Sequence, residues 1–259
     1  VFRILTEWWR FKTLLFALAG RQLRARYRGS ILGFVWSFLN PLCLLAVYSL
    51  VFKYYIRFDD VEHYTLFMFA GLLPWIWFSS SLLESTGSIS GGGSLVTKAM
   101  FPPHILPAVA IITNLVNFLL SIPLLLVFMW IAGVGFSKLL LFLPLIILIQ
   151  FVFITGLGLA LSAINVHYRD VQHILGNLMT LWFFLCPVVY PLNNIPGSMR
   201  FTILLNPVAL FTEFYHLSFL GEGVFEPWHI CFLVGISLLV FAIGCRIFNH
   251  FRETFSELV

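Results

Sequence analysis

The chain has 259 residues, 60% of them hydrophobic and only 10% charged, with a formal net charge of +4. Soluble domains carry about a quarter charged residues, so this chain cannot clothe a water-facing globule of its size and lipid must be much of its solvent. The basic excess has an ordinary source in the cytoplasmic loops of a multi-pass protein. That excludes nucleic acid as the expected partner and leaves an all-α membrane protein as the fold class.

The first predicted element covers residues 8–24, WWRFKTLLFALAGRQLR. At helical spacing Thr13, Gly20, Arg24, Ala17, Arg10 and Arg21 fall on one arc of about 100°, while Trp8, Trp9, Phe11, Leu14, Leu15, Phe16, Leu18 and Leu23 fill the rest. A cationic face beside a wide apolar one predicts a helix lying in the membrane interface. Lys12 and Gln22 break the pattern, although Lys12 can snorkel. No small-residue cleavage site follows, so no cleavable signal peptide is expected.

Arg24, Arg26 and Arg28 then crowd the start of the first span. Anionic headgroups attract such clusters by about 1 kcal/mol per basic residue, which accounts for them as a membrane anchor; contact with an anionic substrate is the rival reading. Six spans follow, at Phe34–Phe52, Tyr64–Leu83, Ile105–Ile131, Leu139–Ile164, Ile174–Leu192 and His229–Phe248. Asn40-Pro41 is expected to loosen the first, because proline removes a backbone donor and crowds the preceding turn.

The apolar run at 201–220, FTILLNPVALFTEFYHLSFL, is long enough to make a seventh span. Charge parity argues against it. With six spans and a cytoplasmic N-terminus, 11 of the 15 Lys and Arg fall on the cytoplasmic side, as the positive-inside rule requires. A seventh span would send Arg246 and Arg252 outside and sink Glu213, at roughly 2.5–3.5 kcal/mol for a carboxylate at mid-membrane. The run is therefore expected to form short re-entrant helices between spans five and six. The whole reads as one membrane domain: an interface helix at 1–28, spans one to five at 34–192, a periplasmic re-entrant region at 193–228, and span six with its tail at 229–259. Both termini are expected in the cytoplasm.

Motifs for catalysis are missing. The sequence has no GxSxG, HExxH or GxxxxGK[ST], so no catalytic residue, metal or bound cofactor is expected in this chain. Cys43, Cys186, Cys231 and Cys245 lie in apolar runs without ligand spacing and read as packing residues. Two loops look like docking surfaces: the one after span two, ESTGSISGGGSLVTKAMFPPHILP, and NVHYRDVQH after span four. Aromatic side chains near mid-span, such as Trp182, Phe183 and Phe184, would suit the C–H faces of a sugar.

Four stretches carry a resemblance along the whole chain: RARYRGSILGFVWSFLNPLCLLAVYSLVF (24–52), KAMFPPHILP (98–107), NVHYRDVQHIL (165–175), and FFLCPVVYPLNNIP with LLNPVALF (183–211). Together they resemble the membrane-spanning subunit of ABC-2 type polysaccharide exporters, which move O-antigen, teichoic acid and some capsular chains. The resemblance implies a homodimer with two cytoplasmic ATP-binding-cassette subunits, ATP and Mg being held by those partners. It implies coupling contacts through Glu84, Ser88, Ser90, Lys98 and Phe101, and through Tyr168, Arg169 and Asp170. Arg24, Arg26, Tyr27 and Arg28 would lie where a lipid-linked polysaccharide enters. A central channel bounded partly by spans one and five makes Trp36, Asn40, Tyr48, Trp182, Phe183, Phe184 and Tyr190 its lining candidates. A bacterial inner membrane is the implied location. Rival readings are an ABC-2 permease for a drug or small lipid, a membrane-embedded transferase, and a passive channel.

Overall fold

The computed structural model describes residues 2–55, 63–93, 101–221 and 226–258, and the elements among them are helical. Two N-terminal helices, α1 (Phe2–Arg10) and α2 (Lys12–Tyr27), form one bent rod. The bend at Phe11 is slight, since its N–H still reaches the Glu7 carbonyl at 2.9 Å and its carbonyl accepts from Leu15 at 3.0 Å. The first span is α3 (Trp36–Ser49), which widens into a π-helical turn through Tyr55. Pro41 is accommodated within it, on a buried stripe with Ser37, Leu45 and Ser49.

The second span, α4 (Tyr64–Gly91), is the spine of the molecule. Around it pack α5 (Ile105–Ile131), α6 (Leu143–His167), α7 (Asp170–Phe184), and α9 (Pro207–Leu220), which follows the short α8 (Arg200–Leu204). The chain ends with α10 (Pro227–Phe251) and α11 (Phe255–Leu258). Five helical stretches among the described residues are long and apolar enough to cross a membrane, and Gly197–Leu204 with Pro207–Leu220 is a pair bent by 100°. The protein is a multi-pass membrane protein.

The fifth expected span departs from its expected bounds. Helix α7 has 15 residues and stops at Phe184 rather than continuing to Leu192, because Pro187 and Pro191 exclude helical continuation through CPVVYP. The segment nonetheless runs the length of α4. At one end a Cβ on Gly87 would lie 3.0 Å from the Gln172 amide; at the other the Tyr64 hydroxyl donates to the Val189 carbonyl at 2.6 Å. Tyr64 to Gly87 of α4 rises about 35 Å at 1.5 Å per residue, enough for a hydrocarbon core of about 30 Å.

The same ruler measures the re-entrant pair. His216 stacks on Phe67 with ring centroids 3.9 Å apart, near the Tyr64 end of α4. Lower down, Phe211 meets Phe153, which stacks on Phe78. Trp182 also packs edge-on to Phe78 and donates to Asn206 at 3.2 Å. Helix α9 thus starts near the middle of α4 and climbs to the Tyr64 side, where Gly221 approaches Ser137. Asn206 accepts from the Val208 N–H at 3.1 Å, with Pro207 at the first helical position, a combination that starts a helix without leaving a donor orphaned. Glu213 and His216 are buried by this packing, 6% and 1% exposed.

Helix begins ahead of the amphipathic run at 8–24, within the interface segment expected at 1–28: Ile4 of α1 is fully buried with Cys245, Phe248 and Phe255. Glu7 fixes this corner, its Oε2 lying 3.3 Å from Arg252 Nη1 and 3.4 Å from His104 Nδ1. The second span runs on to Gly91, which puts Glu84, Ser88 and Ser90 on a helix rather than in a loop. The Ser88 hydroxyl bonds back to the Ser85 carbonyl at 2.7 Å and so stays compatible with the helix.

Candidate functional site: two hollows flanking the first span

Arg26, near the end of α2, is held by the protein. Its Nη2 donates to both carboxylate oxygens of Glu84 at 2.7 Å, and its Nη1 donates to Asn114 Oδ1 at 3.3 Å. Gln22 adds a bond to Glu84 at 3.3 Å, which explains why a polar residue interrupts the apolar face of the helix. A two-oxygen guanidinium–carboxylate pair fixes direction as well as charge. Arg24, Arg26 and Arg28 are all exposed, and Arg26 also ties α2 to the last third of α4. The helix is also held by Leu15 and Ala19, buried against Ile105, Ala108 and Val109 of α5. Trp9 and Phe16 stay exposed, as an interface helix requires. The Tyr27 side chain lies outside the described ones.

Beside Arg26 opens a cavity of about 370 Å³ between α3, α4 and α5. Asn40 and Ser37 of α3, Ser80 of α4, and Asn114, Asn117 and Ser121 of α5 supply polar groups; Trp36, Trp77 and Phe118 supply aromatic walls. The α5 residues fall at i, i+3 and i+7, one polar stripe on an otherwise apolar helix. That stripe was present in the sequence, and the sequence reading did not single it out.

The other flank of α3 is different. A cleft of about 330 Å³ between α3, α4 and α7 is lined by Leu44, Tyr48, Trp75, Ile76, Met179, Phe183 and Phe184 among others, with Ser79, Ser80 and Thr180 its polar members. Tyr48 stacks on Phe183 with centroids 5.5 Å apart. The channel candidates are thereby divided: Trp36 and Asn40 face the polar cavity, and Tyr48, Phe183 and Phe184 the apolar cleft. Phe183 is 5% exposed and wedged edge-on to Trp75, so it is wall rather than open surface. Trp182 points away to Asn206 and positions the start of α9. Tyr190 donates to the Phe184 carbonyl at 2.8 Å and closes the end of α7.

The expected coupling segments meet at the Arg26 side. Asn165 of α6 donates to Ser90 at 3.5 Å and accepts from the Gln172 N–H at 3.2 Å. The end of α4 and the α6–α7 turn are one surface, with Tyr168, Arg169 and Asp170 exposed on it. Glu84 turns inward to Arg26, and Phe101 packs inward with the α2 and α5 side chains. Lys98 lies outside the described residues. Among the described residues no group of three or more His, Cys, Asp or Glu could hold a metal ion.

Comparison with known proteins fits this geometry. Residues 13–220 match the family described as ABC-2 type transporter. The chain is 39% identical over 259 residues to the O-antigen export system permease protein RfbA of Myxococcus xanthus, covering 99% of each chain. It is 31% identical over 248 residues to the protein of that name from Klebsiella pneumoniae, 95% of each. With the polysialic acid transport protein KpsM of Escherichia coli it shares 25% identity over 250 residues, 93% of this chain and 95% of that one. This chain belongs to the ABC-2 type transporter family, as a non-catalytic membrane permease.

Proposed function

We propose that this chain is the channel-forming permease of an ATP-driven exporter that moves a lipid-linked polysaccharide, O-antigen first among the candidates, from the cytoplasmic to the outer face of a bacterial inner membrane. The observation that carries this reading is the end-to-end similarity to O-antigen permeases. The geometry supports it through the uncovered side of α3 and α7, where Leu44, Val47, Leu178, Leu181 and Phe184 stand exposed beside the aromatic cleft. A second copy of the chain meets this face, and the conduit runs between the two. ATP and Mg stay on two separate ATPase subunits, which press on the surface formed by the end of α4 and Tyr168–Asp170, with Lys98 in the adjoining segment. Both termini lie on that cytoplasmic side.

Depleting the chain in its host and measuring carrier-linked glycan on each membrane face tests the reading. Accumulation on the cytoplasmic face with loss of surface polymer is expected. Unchanged glycan on both faces would overturn it and favour a small-lipid or drug exporter.

A further inference from the structure

The cavity between α3, α4 and α5 lies on the other flank of α3 from the proposed conduit, and packing does not explain its chemistry. Amide and hydroxyl groups placed in a membrane domain are costly unless paired. Asn40, Ser80 and Asn117 line this cavity with amide and hydroxyl groups, so an occupant that meets them must both donate and accept, as a hydroxyl does. The Trp36 indole offers apolar surface to C–H groups. Among the described residues on the wall the one cation, Arg26, is already matched by Glu84 at 2.7 Å, so the cavity selects a neutral group over an anion.

We propose that this cavity is a sugar-binding site within each protomer, taking one sugar unit of a membrane-anchored glycan, with the lipid part lying along the exposed Ile31, Leu32 and Val35 at its mouth. At about 370 Å³ it stands near the lower end of ligand pockets, roughly 300–1,000 Å³: room for a unit of the polymer, not for a conduit. It would let the permease test the glycan before passage. The inference rests on the polysaccharide reading above.

The test uses the full chain in nanodiscs with a photoreactive octyl glucoside, read by mapping the labelled peptides, beside photoreactive octanol, photoreactive octyl phosphate and competition by free glucose. Labelling of α3 and α5 near Asn40 and Asn117 by the glucoside alone is expected. Asn117→Leu and Asn40→Leu should each weaken it roughly tenfold, the scale of one lost hydrogen bond in a dry site, with the melting temperature of Asn40→Leu unchanged; Ser80→Val serves if either variant fails to fold. Competition by free glucose would make the occupant a free sugar and overturn the membrane-anchored assignment. Equal labelling by octanol, preference for octyl phosphate, or indifference to the substitutions would mean a hydrated cavity or an anion site and overturn the proposal. Labelling requires no transport, so it fails independently of the export reading, which glycan depletion tests alone.

Discussion

Helices α3 and α4 are neighbours of similar composition with opposite surroundings. Of its most apolar window, α4 has 78% buried inside the protomer and α3 has 11%. One is a spine gripped on every side; the other leans on it by a single stripe and leaves the rest to lipid, ligand or a second chain. A membrane span buried all round gains from close packing and internal hydrogen bonds rather than from hydrophobicity, since lipid is as apolar as leucine. The contrast separates residues that hold the fold from residues that remain available for transport.

The largest predicted loss lies in the packed half. Helices α6 and α10 approach so closely that a Cβ on Gly244 would sit 2.0 Å from the Gly156 carbonyl oxygen. Backbone cannot swing aside as a side chain can. Gly244→Ala should therefore cost at least the roughly 1–3 kcal/mol of an overpacked core, read as loss of monodisperse protein after detergent extraction. Wild-type yield and melting temperature would mean that the helices can part, and that the packed half is looser than its contacts imply.

Next comes the seat of α2, where two kinds of interaction can be ranked. Leu15 is 5% exposed against α5, and Leu→Ala at a buried site costs about 2–5 kcal/mol. The Arg26–Glu84 pair has side chains 30% and 34% exposed, and such a pair is worth about 0–1 kcal/mol. Leu15→Ala should lower the melting temperature clearly more than Glu84→Gln. The reverse order would make the ion pair, and not apolar packing, the main hold on the interface helix.

A third prediction concerns the middle of the packed half. The Tyr215 hydroxyl donates to Gln150 Oε1 at 2.7 Å, and Gln150 in turn reaches the Pro74 carbonyl at 3.4 Å. Tyr215→Phe removes the first bond without changing the shape of the ring. A hydrogen bond between membrane helices averages about 0.6 kcal/mol in double-mutant cycles, so a small, measurable fall in melting temperature is expected. No change would show that Gln150 finds another donor.

What could be read from the sequence follows the same division. Span three appears at Ile105–Ile131 as expected, because an unbroken apolar run needs no tertiary information to be a helix. The re-entrant pair was legible from charge parity and the Asn206-Pro207 break. The reach of α4 to Gly91 was not: SISGGGS has the composition of a hinge, but Ser88 bonds back into its own helix and Gly87 is small to admit Gln172. Glycine reads alike whether it serves a turn or a close approach. The pairing of Arg26 with Glu84 spans 58 residues, and no local pattern encodes it. Asn114, Asn117 and Ser121 stood in plain view, but which way a span's polar stripe turns is set by its neighbours.

The smallest stability effect is predicted where the transport effect should be large. Leu44 and Val47 lie on the uncovered side of α3, 41% and 57% exposed. Replacing both with Ala removes little that the protomer itself buries, so the stability of a single copy should move by no more than the roughly 0.5 kcal/mol typical of surface sites. If this face meets a second copy, the same double variant loses contacts that only the pair makes. Cross-linking between copies and surface glycan should then fall together, while the isolated fold stands. A fall in single-copy stability instead would mean that α3 is covered within its own protomer, and the contrast with α4 would no longer hold.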